Sequence, residues 1–188
     1  MAEHVILFTG PMGAGKTTAI RSLSETDVIS TEANNSERDV VDKPTTTVAL
    51  DYGEIVLDTE DKIRMYGIPG QKRFDFMWNI LKQRAEGMIL LVNNDAPDPI
   101  AEMLSFIEEF RELYDRGGVI VGVSRSDISP SPTVADYAKA LEQVHPDLAV
   151  PVFTVDPRDG NHMQMVLLSL IVSIEAREQF GEAGVQQA

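Results

Sequence analysis

The segment Gly10-Pro11-Met12-Gly13-Ala14-Gly15-Lys16-Thr17 concentrates three glycines, a lysine and a hydroxyl in eight residues. A glycine, four residues and then Gly-Lys-Ser/Thr is the pattern of a phosphate-cradling P-loop. Glycines adopt backbone angles closed to other residues, so successive N–H groups can converge on phosphate oxygens. A helix opening at Gly15 would aim its positive dipole end at the same anion. Lys16 would neutralise β- and γ-phosphates, and the Thr17 hydroxyl would coordinate Mg²⁺. Gly10, Met12, Gly13, Ala14, Gly15, Lys16, Thr17 and Thr18 are therefore the candidate phosphate contacts, with Lys16 also a candidate catalytic residue. A plain glycine-rich turn before a helix is the competing reading. The motif's place between an apolar strand and a helix favours the phosphate loop.

The elements that must position this loop follow from patterning. His4 to Thr9 is a short apolar run ended by Gly10-Pro11, a buried strand and a turn. Lys16 to Ser24 has Ala19, Ile20 and Leu23 on one side, as a helix requires. Thr26 to Pro44 is polar and aperiodic, a long loop of the kind that usually carries function. Val48 to Asp58 and Lys62 to Tyr66 read as a hairpin, followed by a loop from Gly67 to Arg73 and a helix through Phe76, Met77, Ile80 and Leu81. Met88 to Val92, Gly118 to Val123 and Val150 to Val155 are further strands. Ile100 to Tyr114, Thr133 to Val144 and Asn161 to Phe180 are further helices. Apolar strands alternating with amphipathic helices predict an α/β fold: a mixed, mostly parallel sheet with helices on both faces and one antiparallel edge. One domain over residues 1–180 is expected, with 181–188 frayed.

Bulk properties narrow the partners. Thirty acidic residues against 16 basic ones leave a net charge of −14. Such a surface repels nucleic acid and anionic lipid. It also requires that any bound polyanion be met by local positive potential. The chain has no cysteine, so disulfides and thiolate metal sites are excluded. No apolar run reaches the roughly 18 residues of a membrane span. Met1-Ala2-Glu3-His4-Val5 lacks the pattern of a signal peptide and Gln186-Gln187-Ala188 that of a prenylation site, so neither a leader nor a lipid anchor is expected. A cytoplasmic protein with no direct membrane anchor is expected. His4, His145 and His162 lack metal-ligand spacing and are read as surface or capping residues, and Met163 and Met165 as packing residues.

A P-loop by itself serves kinases, ATPases and GTPases alike. Three later segments resemble the Ras-like small GTPases over Val5 to about Phe180. Thr45-Thr46-Thr47-Val48-Ala49-Leu50-Asp51-Tyr52 resembles the end of that family's switch I. The resemblance implies a threonine there, Thr47 or its rival Thr46, that binds Mg²⁺ and the γ-phosphate. Gly67-Ile68-Pro69-Gly70-Gln71 resembles switch II. It implies that the Gly70 N–H meets the γ-phosphate and that Gln71 orients the attacking water. The proline before Gly-Gln and the Arg73-Phe74 after it resemble bacterial Ras-like proteins: the gliding-motility polarity GTPases, and the operon-encoded GTPases that accompany Roadblock-type proteins. Ser124-Arg125-Ser126-Asp127 stands where the family has Asn-Lys-x-Asp. Asp127 would select guanine, with a helix N-cap as its alternative role, and Arg125 would stack on the base. Thr154-Val155-Asp156 occupies the last base-contacting loop, with Asp156 as its candidate contact.

What the resemblance implies is a GTP/GDP- and Mg²⁺-binding switch with Thr17 and Thr47 on the metal and, as partner, a Roadblock-type activator or regulator. Arg73, or Arg38 in the long loop, would supply an arginine to the transition state. Three residues depart from the pattern. Gly67 replaces a metal-holding aspartate; either Asp51 substitutes for it, or the metal depends on Thr17, Thr47 and the phosphates. Met12 stands where Ras has glycine and would crowd Gln71, which implies slow hydrolysis. Ser124 replaces an asparagine that ties the base loop to the P-loop, so selectivity would rest mainly on Asp127. A hydrolysis-deficient nucleotide-binding adaptor is the alternative function. Phe74, Phe76, Met77 and Trp78 form an aromatic cluster, read as core or as a partner surface.

Overall fold

A computed structural model describes residues 3–24, 28–30, 50–56, 62–68, 75–115, 118–146 and 150–185. The elements run β1 Glu3–Thr9, α1 Lys16–Leu23, β2 Ile29–Ser30, β3 Asp51–Val56, β4 Lys62–Gly67, α2 Asp75–Arg84 and β5 Gly87–Asn93. They continue α3 Pro99–Glu109, α4 Arg111–Asp115, β6 Val119–Ser124, α5 Val134–Val144, β7 Val152–Thr154 and α6 Gly160–Val185. The seven strands form one sheet in the order β2-β3-β4-β1-β5-β6-β7. Pairs from β4 to β7 are parallel, whereas β3–β4 and β2–β3 are antiparallel.

Both faces of the central strands are covered, which is why β5 and β6 read as continuous apolar runs. On one face Leu7, Met88, Leu90, Val92 and Val121 pack under α3, α4 and α5 through Met103, Ile107, Phe110 and Tyr137. On the other, Ile6, Phe8, Ile89 and Leu91 meet α1 and α6 through Ile20, Leu23, Met163 and Leu167. The strict alternation of odd and even residues between the two cores follows from the two-residue period of a strand.

Five local expectations are corrected. The helix read over Ile100 to Tyr114 breaks at Phe110, between α3 and α4. Phe110 leaves helical geometry there (φ −106°, ψ 31°) and is fully buried with the Lys82 ammonium 4.6 Å from its ring centroid. Lys82 also donates to the Glu109 carbonyl, satisfying a group that the helix end would otherwise strand. Within the expected long loop, Ile29–Ser30 pairs with Tyr52 and Asp51, so β2 and not the hairpin strand is the edge. Two residues are too few for any alternation to show in sequence. The last helix continues through Val185, into the stretch expected to fray. Met165 is 60% exposed, so only Met163 of that pair packs in the core. Asp127 caps no helix: Thr133 is the N-cap of α5, in a reciprocal capping box with Asp136. The side chains of the aromatic cluster Phe74, Phe76, Met77 and Trp78 lie outside the described residues.

A buried polar contact fixes the end of β5 to α5. The Tyr137 hydroxyl donates to Asn94 Oδ1 at 2.7 Å, and Asn94 Nδ2 donates to the carbonyls of Ser129 (2.6 Å) and Pro132 (3.0 Å). Substituting Tyr137→Phe keeps the ring but leaves Asn94 Oδ1 without its donor. The expected cost is about 1–2 kcal/mol, read as a lower urea midpoint at unchanged m-value.

Candidate nucleotide site

The phosphate loop joins β1 to α1 at the carboxyl end of the sheet. At Gly10 φ is 135°, and a Cβ would lie 2.0 Å from the Leu91 carbonyl oxygen; at Gly15 φ is 93°, and a Cβ would lie 2.7 Å from Pro157 Cγ. No other residue fits either place, because both the backbone angle and the space forbid a side chain. Gly15 is also the N-cap of α1 and offers no capping side chain. The N–H groups of the first helical turn have no intrahelical acceptor, so they and the helix dipole favour an anion there.

Lys16 folds back over this loop, donating from Nζ to the carbonyls of Gly10 and Pro11 at 2.8 Å each. Burial lowers its pKa to about 8, an effect the nearby Asp51 carboxylate partly opposes. The group is thus still mostly cationic at neutral pH. The neighbouring Thr17 hydroxyl donates to Asp51 Oδ2 at 2.5 Å. Met12, 79% exposed, stands outward from the loop.

The base loop is tied to the phosphate loop by an arginine. Arg125 has a left-handed backbone (φ 61°), which costs a non-glycine residue roughly 1–3 kcal/mol. Its Nη1 donates to both Asp95 oxygens at 3.1 and 3.0 Å, and its Nη2 donates to the Gly13 carbonyl at 3.2 Å. The expected stacking cation is therefore held as a bridge, doing the tying that sequence assigned to a missing asparagine. Ser124 turns the other way: it is buried, and its hydroxyl donates to the Val92 carbonyl at 3.0 Å and to Asn93 Oδ1 at 3.2 Å. It holds the base loop to β5 instead.

Asp127 is exposed and, among the described residues, has no hydrogen-bond partner. It lines a cleft of about 510 Å³ that runs from Gly13, Gly15 and Thr18 to Asp127, Asp156 and Arg158. Asp156 is already engaged: it accepts from the Arg158 backbone N–H (2.9 Å) and from its guanidinium (2.8 to 3.2 Å). These bonds hold its carboxyl down at about 2. Arg158, which also lines the cleft, is a residue that sequence reading missed although the Asp-x-Arg spacing was visible. Asp95 had no such signal, lying 30 residues from the arginine it holds. His162 also lines the cleft; His4 pairs with Glu86 at 2.6 Å, and His145 lies against Tyr114 with ring centroids 4.6 Å apart. Thr47, its rival Thr46, Gly70, Gln71, Arg73 and Arg38 lie outside the described residues.

A phosphate loop and an aspartate-bearing loop facing one cleft at the carboxyl end of a mostly parallel sheet define a P-loop nucleotide-binding domain. Residues 5–125 match the family model described as 50S ribosome-binding GTPase, so the chain belongs to that GTPase family and is a GTP-binding protein. No curated protein matches it. Among the described residues, no helix is long and apolar enough to cross a membrane.

Replacing Asp127 by alanine should weaken GDP binding on the order of tenfold to a hundredfold while leaving ADP binding nearly unchanged. Displacement of a fluorescent nucleotide by each competitor measures both.

Proposed function

We propose that this chain is a GTP-operated molecular switch of the bacterial Ras-like type, hydrolysing GTP slowly to GDP and phosphate. The observation that carries the reading is the Arg125 bridge, which joins the phosphate loop and the Asp127 loop into one cleft. A nucleotide spanning it would have its phosphates at Gly13–Thr18 and its base at Asp127.

Mg²⁺ fits the donors at the phosphate end. The Thr17 hydroxyl and the Asp51 carboxylate are hard oxygens, and no cluster of three acidic or histidine side chains is found among the described residues. A magnesium that shares nucleotide phosphates needs only one or two protein oxygens. Thr17, joined by Thr47 according to the Ras-like resemblance, would hold it. When bound, it supplies positive charge to the phosphate oxygens.

In hydrolysis a water attacks the γ-phosphorus, the bond to the β–γ bridging oxygen breaks, and negative charge grows on that oxygen. Lys16 meets this charge, Gln71 orients the water, and Arg73 supplies a second cation. By the Ras-like resemblance, the exposed Met12 occupies the loop position from which a side chain would crowd Gln71 and an incoming arginine. That is the basis for slow intrinsic turnover and for dependence on an activator, a Roadblock-type protein by the resemblance of Thr47 to Trp78. The same exposed Met12 favours the second reading, a nucleotide-binding adaptor that barely hydrolyses.

Affinities for GTP, GDP and ATP, each with and without Mg²⁺, test the first part. A guanine preference well beyond tenfold supports the switch; equal affinity for ATP removes it. Single-turnover hydrolysis then separates switch from adaptor. In the switch, Gln71→Leu should slow GTP cleavage roughly 10²- to 10³-fold, and Met12→Gly should raise activator-stimulated turnover. An unchanged rate in Met12→Gly removes steric crowding as the cause of slowness.

A further inference from the structure

We infer that Asp95, which is not among the residues lining the cleft, is a positioning residue for the nucleotide phosphates, acting through Arg125 on the Gly13–Ala14 peptide. The inference rests on the reading of Gly13–Thr18 as the phosphate site. Arg125 holds a left-handed backbone angle (φ 61°), which persists only where neighbours over-determine it. Its contact with Gly13 is a single hydrogen bond of 3.2 Å to the carbonyl oxygen. Its contacts with Asp95 join opposite charges, at 3.1 and 3.0 Å. Charge-assisted bonds are the stronger ones, so the carboxylate sets the direction of the guanidinium. Asp95 is itself fixed by the backbone on either side of it. The Asn94 N–H donates to the Ser124 carbonyl at 3.0 Å and the Ala96 N–H to the Asn93 carbonyl at 3.1 Å.

The consequence lies in the orientation of one peptide. The Gly13–Ala14 bond is trans, so the Gly13 carbonyl and the Ala14 N–H point in opposite directions across its plane. Arg125 draws the carbonyl toward the base loop and thereby turns the Ala14 N–H away from it. That N–H reaches the Pro11 carbonyl oxygen in a long bond of 3.3 Å, and the Lys16 ammonium reaches the same oxygen at 2.8 Å. The two donors therefore converge on one point of the loop. Lys16 is the group that meets the β- and γ-phosphates, so a phosphate oxygen would compete with Pro11 for both donors. Gly13, at φ 79°, has no side chain to resist a turn of this peptide, so the hold on its carbonyl matters. Charge alone predicts the opposite effect. Asp95 neutralises a cation beside an anion site, so removing it would raise the local positive potential and tighten nucleotide binding.

The test uses the full chain with Asp95→Asn, Asp95→Glu, Arg125→Met and the double variant Asp95→Asn/Arg125→Met. Stopped-flow release of a fluorescent GDP analogue gives the rate. Displacement by GDP and by GMP gives affinity with and without the β-phosphate, and the phosphorus resonance of bound GDP reports the surroundings of that phosphate. Asp95→Asn should speed release about 3- to 6-fold, the upper range for a partly exposed charged pair. It should also shift the β-phosphorus resonance and change GMP affinity by less than about 1.5-fold. Asp95→Glu should restore most of the unaltered rate. In the Arg125→Met background, Asp95→Asn should add nothing, since the pair acts as one unit. Release from Asp95→Asn at the unaltered rate or slower overturns the inference. Equal losses of GDP and GMP affinity also overturn it, because Asp95 would then serve the base loop alone. So does a full added effect of Asp95→Asn in the Arg125→Met background. Failure of the phosphate reading itself appears separately, as an unaltered chain that binds GMP as tightly as GDP.

Discussion

A chain with a net charge of −14 can hold a nucleotide only if positive potential is concentrated where the phosphates sit. The phosphate loop concentrates it. Gly10 and Gly15 let the backbone pass so close to Leu91 and Pro157 that no side chain fits between. The loop can then present N–H groups, the open end of α1 and the Lys16 ammonium to one point. Much of the rest of the fold supports that arrangement: two apolar cores clamp the strands on either side of β1, and α1 is buried against the sheet by Ala19, Ile20 and Leu23.

The base end of the cleft is organised by arginines that are themselves restrained. Arg125 accepts a strained backbone conformation, and its bonds to Asp95 and Gly13 compensate by joining the loops after β1, β5 and β6. Arg158 is fixed on Asp156 in the same manner, within reach of the field of Asp127. These pairs are partly exposed, so their individual energies are modest. Their effect is geometric. The Arg125 bridge fixes the separation between phosphate loop and base loop, which the nucleotide must match, and the Arg158–Asp156 pair holds the shape of a single loop.

Behind the cleft a second, drier network gives the base loop its footing. Ser124 is bonded to Val92 and Asn93, and Asn94 to Tyr137 and to the carbonyls of Ser129 and Pro132. Buried hydrogen bonds of this kind specify one arrangement, because each broken partner leaves a desolvated polar atom. The loop carrying Asp127 is thereby fastened at both ends, and the aspartate itself is left exposed to the cleft.

What was legible in sequence was whatever depends on neighbours in the chain. The phosphate loop was legible because its chemistry needs glycines, a lysine and a hydroxyl at fixed spacing. The parallel sheet was legible because strands buried on both faces must be apolar throughout, as β5 and β6 are. The position of Asp127 in the loop after β6 was legible from its place after the third apolar strand. What depends on contacts across the fold was not. The bridge from Arg125 to Asp95 and Gly13 joins residues far apart in the chain, and only the pairing of β3 with β4 sets Asp51 opposite Gly67. Phe110 looked like one more helical core residue until its burial against Lys82 showed why the chain turns there. Local pattern sets which backbone a segment adopts. Only the pairing of strands decides which side chain fills a given volume, and that determines where the charges of the site stand.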